Sequence, residues 1–139
     1  MQPDWQHFEH GADIGIWGRG VTLEEAFIQA AMALIAVITD PDTVSAETVI
    51  ELDCEAPDHE LLFVDWLNAL IYEMASRRML FSRFVVHIEG DRLHAQAWGE
   101  PINLEKHRPA VEVKGATYTA LQVYQDDNGT WHARTVVDV

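Results

Sequence analysis

The stretch Phe8-Glu9-His10-Gly11-Ala12-Asp13-Ile14-Gly15-Ile16-Trp17-Gly18, with Thr22-Leu23-Glu24-Glu25-Ala26-Phe27 close behind it, decides how this chain folds. Ala12, Ile14 and Ile16 alternate with Asp13, Gly15 and Trp17, the period of two expected of a strand with one buried face. Asp13 therefore points away from the Ile14/Ile16 face, with a glycine rather than a bulky side chain two positions on. A carboxylate on a stiff strand with room beside it suits a cation, although on chemistry alone a solvated aspartate is the more ordinary reading. A helix then opens at Thr22. Its hydroxyl caps the first turn while Glu25 reaches back, a Thr-x-x-Glu box, and Glu24 and Glu25 sit where the helix dipole favours negative charge. Leu23, Phe27, Ala30, Leu34 and Val37 continue at helical spacing until Asp40-Pro41-Asp42, where proline stops the helix.

Working outward, residues 5–9 read as a preceding strand, and 48–53 alternates Val49, Glu51 and Asp53 against Ile50 and Leu52. Pro57-Asp58 opens a second helix with Asp58 as its cap. Its pairs Leu62/Phe63, Trp66/Leu67 and Leu70/Ile71, then Met74, form one broad apolar stripe. Burying such a stripe stabilises by roughly 1.5–3 kcal/mol per large side chain, so packing rather than propensity fixes this helix. From Met79 the chain reads as extended. Phe84, Val86 and Ile88 alternate, Gly90-Asp91 turns, and Leu93, Ala95 and Ala97 return as the facing strand. Residues 100–108 read as a polar loop. Strands over 111–124 and 130–137 flank Asp127-Asn128-Gly129, whose Asn-Gly is the strongest short hairpin signal. The expected class is α+β: a two-layer sandwich with two helices packed on one face of a largely antiparallel sheet, forming a single domain over 1–139.

Composition narrows the function. Twenty-three acids against 9 Lys and Arg give a net charge of −14 over 139 residues. Direct nucleic-acid binders neutralise phosphates with clustered cations, and here only Arg77-Arg78 are adjacent. An acidic chain is drawn instead to cations, to a basic partner or to the basic groove of a nucleic-acid enzyme. The lone Cys54 allows no intrachain disulfide and suits a reducing compartment. Met1-Gln2-Pro3-Asp4 lacks a basic n-region and no stretch is apolar enough to span a bilayer, so a soluble, cytoplasmic protein without a leader is expected. The other histidines (His7, His59, His87, His94, His107 and His132) lack zinc spacing. There is no G-x-S-x-G elbow, phosphate loop or dinucleotide fingerprint.

The pattern His-x-Ala-Asp-Ile-Gly at 10–15, Gly18, Thr-Leu-Glu-Glu-Ala-Phe at 22–27 and an alanine-rich helix ending in Thr39-Asp40 resembles the start of the archease family. Leu61-Leu62-Phe63-Val64-Asp65-Trp66-Leu67-Asn68 resembles that family's second helix. Glu112-Val113-Lys114-Gly115-Ala116-Thr117-Tyr118 resembles its late strand, and Val136-Val137-Asp138-Val139 its last one. The blocks keep the family's order across nearly the whole chain. One departure stands out: Gly11 replaces the threonine usual between the histidine and the alanine.

That resemblance implies an accessory protein of the RtcB-type RNA ligase, which joins RNA ends bearing a 2′,3′-cyclic phosphate or 3′-phosphate to a 5′-hydroxyl. Such a protein accelerates ligase guanylylation and turnover in tRNA splicing and RNA repair without doing the covalent chemistry itself. It also implies a divalent-metal site, with Asp13 and Asp138 supplying side-chain oxygens and Val139 a main-chain oxygen. Ca²⁺ is the ion expected in a structure, with Mn²⁺ or Mg²⁺ in function, since hard cations take oxygen ligands. Because the sequence given stops at Val139, that residue is expected to add a terminal carboxylate. Spacing alone does not bring Asp13 and Asp138 together. His10 would orient Asp13 or shuttle a proton, or simply bond backbone at a strand end. Lys114 would pair with a carboxylate or contact a partner. Two other classes stay in view: a stand-alone metal-dependent hydrolase built on His10, Asp13 and Asp138, and a general chaperone-like interaction module.

Overall fold

The computed structural model describes residues 4–139, and within them the two hairpins and two long helices form as expected. Strands β1 (Trp5–His10) and β2 (Asp13–Gly20) make an antiparallel hairpin, and α1 (Leu23–Ile38) follows. A 3₁₀ turn (Pro41–Thr43) precedes β3 (Thr48–Glu55), and α2 (His59–Arg77) leads into β4 (Met79–Glu89) and β5 (Arg92–Pro101). A short helix α3 (Leu104–His107) precedes β6 (Gly115–Ala116), β7 (Gln122–Gln125) and β8 (Trp131–Asp138).

Every strand pairing is antiparallel, but the strands divide between two sheets. The larger runs β1-β2-β8-β6, with β7 also on β8, and the smaller runs β3-β5-β4. Helix α1 packs on β2 and β8 of the larger sheet and on β4 of the smaller. That position explains its composition. None of its residues is fully exposed, as expected of a helix apolar nearly all round. Its alanines bring its backbone close to β2: a Cβ on Gly18 would stand 2.2 Å from the Ala30 nitrogen and 2.3 Å from the Ala26 oxygen. Helix α2 lays Phe63 on Phe27 and Trp66 on Phe84, and the Trp66 indole N–H donates to the Phe27 carbonyl at 3.1 Å. A buried indole thus keeps its hydrogen bond.

Capping follows the sequence with one exception. Thr22 Oγ1 accepts from the Glu25 amide and Asp58 Oδ1 from the Leu61 amide. Glu25, however, accepts from Gln29 through its side chain, so the reciprocal half of the box is replaced by a bond one turn along the helix.

Two further expectations change. The strand read over 111–124 is two short strands on one edge of β8, with a turn thrown out between them. There the Thr135 hydroxyl donates to the Thr117 and Thr119 carbonyls, and Ala120 adopts a left-handed backbone. The polar stretch 100–108 is not a plain loop. Glu100 and Pro101 complete β5, and α3 folds back over them. Glu100, only 7% exposed, accepts from Lys106 Nζ (2.7 Å), the Ser45 amide (2.7 Å) and His107 Nε2 (3.0 Å). His107 in turn accepts the Asn103 amide at Nδ1, which fixes the hydrogen on Nε2.

Candidate functional site

The last strand, β8, lies directly against β2, and that single pairing brings the two ends of the sequence together. Their register runs Gly20↔Trp131 to Ile14↔Val137, so Asp138 falls beside Asp13 one step further on. Alternation then puts Asp13, Gly15 and Trp17 on the same outward face as Asp138, Val136 and Arg134. The Val139 amide donates to Asp13 Oδ1 at 3.3 Å, and the Lys114 amide donates to the Asp138 carbonyl at 2.7 Å. Asp13, Asp138, Val139 and Lys114 are therefore neighbours, carried on β2, β8 and the segment entering β6.

His10 faces Asp13 across the β1–β2 hairpin but is exposed and makes no side-chain hydrogen bond to it among the described residues. Lys114 is held by its backbone, and its exposed side chain pairs with no carboxylate among the described residues. Gly11 sits in the hairpin turn at φ +61°. That left-handed backbone suits glycine and is strained for a β-branched residue.

The open space expected beside Asp13 is not open. A Cβ on Gly15 would stand 2.3 Å from the Phe8 ring, which covers the glycine from β1. The Arg134 guanidinium lies 4.6 Å from the Phe8 ring and 4.6 Å from the Trp17 ring. Trp17 Nε1–H donates to His132 Nδ1 at 3.0 Å, and His132 Nε2 bonds Asp126 Oδ2 at 2.8 Å. Since Nδ1 accepts, the hydrogen sits on Nε2 and His132 is neutral in this arrangement. The His132 bond, helped by the Thr130 and Asn128 amides, holds the Asp126 carboxyl below the usual range. Tyr124 stacks on His132 with ring centres 4.7 Å apart. This Asp126-His132-Trp17 line closes the site's outward face on one side and leaves the Asp13/Asp138 end free. Sequence reading passed over it, and the signal available was the hairpin register that sets Tyr124 opposite His132.

The donors at Asp13 and Asp138 are all oxygen, two carboxylates and main-chain carbonyls, which suits a hard divalent cation and not zinc. Among the described residues no group of three or more His, Cys, Asp or Glu side chains gathers round one point. A cation placed here would find two carboxylates and no third ligating side chain. The Val139 amide occupies one Asp13 oxygen and steers the carboxylate, and the second oxygen has no hydrogen-bond partner among the described residues.

Fold and site together define a small α+β protein of antiparallel sheets. A carboxylate pair stands where its last strand rejoins its first hairpin, and no helix among the described residues is long and apolar enough to cross a membrane. Residues 5–139 match the archease protein family (MTH1598/TM1083), and the chain belongs to that family. The archease of Pyrococcus abyssi is 40% identical over 139 residues, covering 97% of this chain and 98% of its own. That of Methanosarcina mazei is 38% identical over 140 residues, covering 97% and 95%. The solution structure of protein 1598 of Methanobacterium thermoautotrophicum superposes with a TM-score of 0.86 at 33% identity, covering 99% of this chain and 100% of that one. An archease of Thermotoga maritima, described as a possible chaperone, shares the fold at a TM-score of 0.62 and 22% identity, covering 95% and 94%.

Proposed function

We propose that this chain activates an RtcB-type RNA ligase in the cytoplasm, promoting its guanylylation and multiple turnover through a divalent-cation site at Asp13, Asp138 and Val139. The observation that carries the reading is the Val139 amide on Asp13. It assembles, from opposite ends of the sequence, the carboxylate pair that the resemblance requires. A net charge of −14 makes a basic partner the natural target and leaves RNA itself to the ligase. Asp13 is half-buried and steered by the amide, while Asp138 is exposed at the strand end, so one carboxylate is fixed and the other is accessible. When bound, the cation supplies positive charge against the nucleotide phosphates. The chain's part is to hold that charge on two rigid strands and leave positions for groups on the partner. Lys114, exposed beside Asp138, is placed to contact the ligase.

The test is multiple-turnover RNA joining by the ligase of the same organism with substoichiometric amounts of this chain. Activation beyond one joining event per ligase molecule is the expected result, and an unchanged rate with an active ligase overturns the proposal. The description borne by the Thermotoga archease suggests a second reading as a chaperone, which predicts suppressed aggregation of many unfolded clients irrespective of Asp13 and Asp138. Phosphoester hydrolysis by this chain alone would bring forward the stand-alone enzyme.

A further inference from the structure

The solvent face of the smaller sheet carries a histidine pair that no spacing along the chain announces. His87 on β4 and His94 on β5 stand directly opposite each other in the antiparallel register, and Asp53 on β3 stands opposite His94 from the other side. Partners across a ladder share a face, so Asp53, His94 and His87 form one row across all three strands. All three are exposed and border one hollow of about 870 Å³, in the sheet that does not carry Asp13 and Asp138.

Within the row the ring of His94 is already set. Its Nδ1 lies 2.8 Å from Asp53 Oδ1. An ionised carboxylate only accepts, so Nδ1 carries the hydrogen and Nε2 of the neutral ring keeps its lone pair. A ligating histidine is held in this way, by a carboxylate behind the ring. Glu51, on the same face of β3, brings Oε1 to 3.8 Å from that Nε2. The separation is too long for a hydrogen bond. It is close to the roughly 3.4 Å between two donors on a tetrahedral ion with bonds of about 2.0–2.1 Å. His87 is exposed and has no hydrogen-bond partner among the described residues. Directly opposite Cβ atoms stand about 4.5–5.5 Å apart, so a side-chain rotation brings its ring to the same point. That rotation is required, because as they stand no three such side chains among the described residues gather round one point. The two neighbouring rows set Glu51, Glu55 and Glu89 against Arg92, a surrounding charge that favours a cation.

We propose that His87, His94 and Glu51 bind a divalent transition-metal ion, zinc by the make-up of the set, with Asp53 orienting His94. Two nitrogens and one carboxylate leave the fourth tetrahedral position open to water or to a group from another molecule. Imidazole selects a softer ion than Mg²⁺ or Ca²⁺, so this site and the all-oxygen pair at Asp13 and Asp138 take different metals. The ligands come from all three strands, and binding ties the smaller sheet across its outer face.

Zinc chloride is the probe, titrated into the whole chain at a pH where both imidazoles are neutral while the histidine ring resonances are followed. Saturable shifts of the His87 and His94 rings together are expected, with Mg²⁺ moving neither. His87→Ala and His94→Ala should each weaken zinc at least about tenfold, and Asp53→Ala, which removes no ligand, about tenfold through the loosened His94 ring. Glu51→Gln should weaken it too. Asp13→Asn with Asp138→Asn should leave the two ring shifts and their midpoint unchanged. The substituted side chains are exposed on the sheet face, and each variant's metal-free urea midpoint confirms that it folds. Absence of saturable shifts at His87 and His94 in the parent at millimolar zinc would overturn the proposal. So would zinc affinity equal to the parent's in a folded His87→Ala or His94→Ala variant, or ring shifts that vanish with the Asp13 and Asp138 substitutions.

Discussion

Glu100 shows how one residue can fasten a segment that sequence patterns leave loose. Lys106 chiefly, with the Ser45 amide and His107, holds its carboxyl down to about 2 from the ordinary 4.5. A carboxyl depressed in the folded state contributes stability that is complete above its unfolded pKa and is lost as pH falls through the folded value. The segment 102–113 forms a strap, tied at its ends by the Ile102 amide on the Arg78 carbonyl and the Ala110 amide on the Ile38 carbonyl. It should therefore stay fastened at neutral pH and open between about 4.5 and 2. Hydrogen exchange at the Ile102 and Ala110 amides reads this: acid should accelerate both in the parent, and Glu100→Gln should make them fast at neutral pH. Unchanged protection in that variant would mean the strap is held by its backbone bonds alone. Nothing in the polar run 100–108 forecasts the cluster, because Ser45 and Glu100 meet only once the smaller sheet has formed.

At the scale of elements, what is short-range was legible and what depends on register was not. The caps at Thr22 and Asp58, the hairpin at Asn128-Gly129 and the apolar stripe of α2 all depend on neighbours within a few residues. The division into two sheets and the break in 111–124 depend on which edge of β8 each segment finds. The same limit applies to the Asp126-His132-Trp17 line, whose members lie on β2, β8 and the turn between β7 and β8. Removing its centre with His132→Ala leaves the Trp17 indole and the Asp126 carboxylate without their partner and unstacks Tyr124. Urea unfolding should show a loss of about 1–3 kcal/mol. The contact of α1 with β2 is less forgiving. Gly18→Val drives a side chain into the α1 backbone, where no rotamer relieves it, and should cost at least about 3 kcal/mol or prevent folding.

At the scale of the whole molecule, the site exists because the last strand closes against the first hairpin. Asp13 was legible as an acid on a strand, and Asp138 as an acid near the end of the sequence. Their meeting required the family resemblance, since 125 positions separate them and no local pattern spans that distance. The acidity of the whole chain then gives the proposed activation a long-range signature. Association with a basic partner should weaken steeply as salt shortens the Debye length from about 10 Å at 0.1 M to about 3 Å at 1 M. The most direct test of the account is single-turnover guanylylation of the ligase with the parent chain, Asp13→Asn and Asp138→Asn, each variant first shown to unfold at the parent's urea midpoint. The account predicts that both asparagine variants lose most of the acceleration. Acceleration equal to the parent's by either folded variant would contradict it.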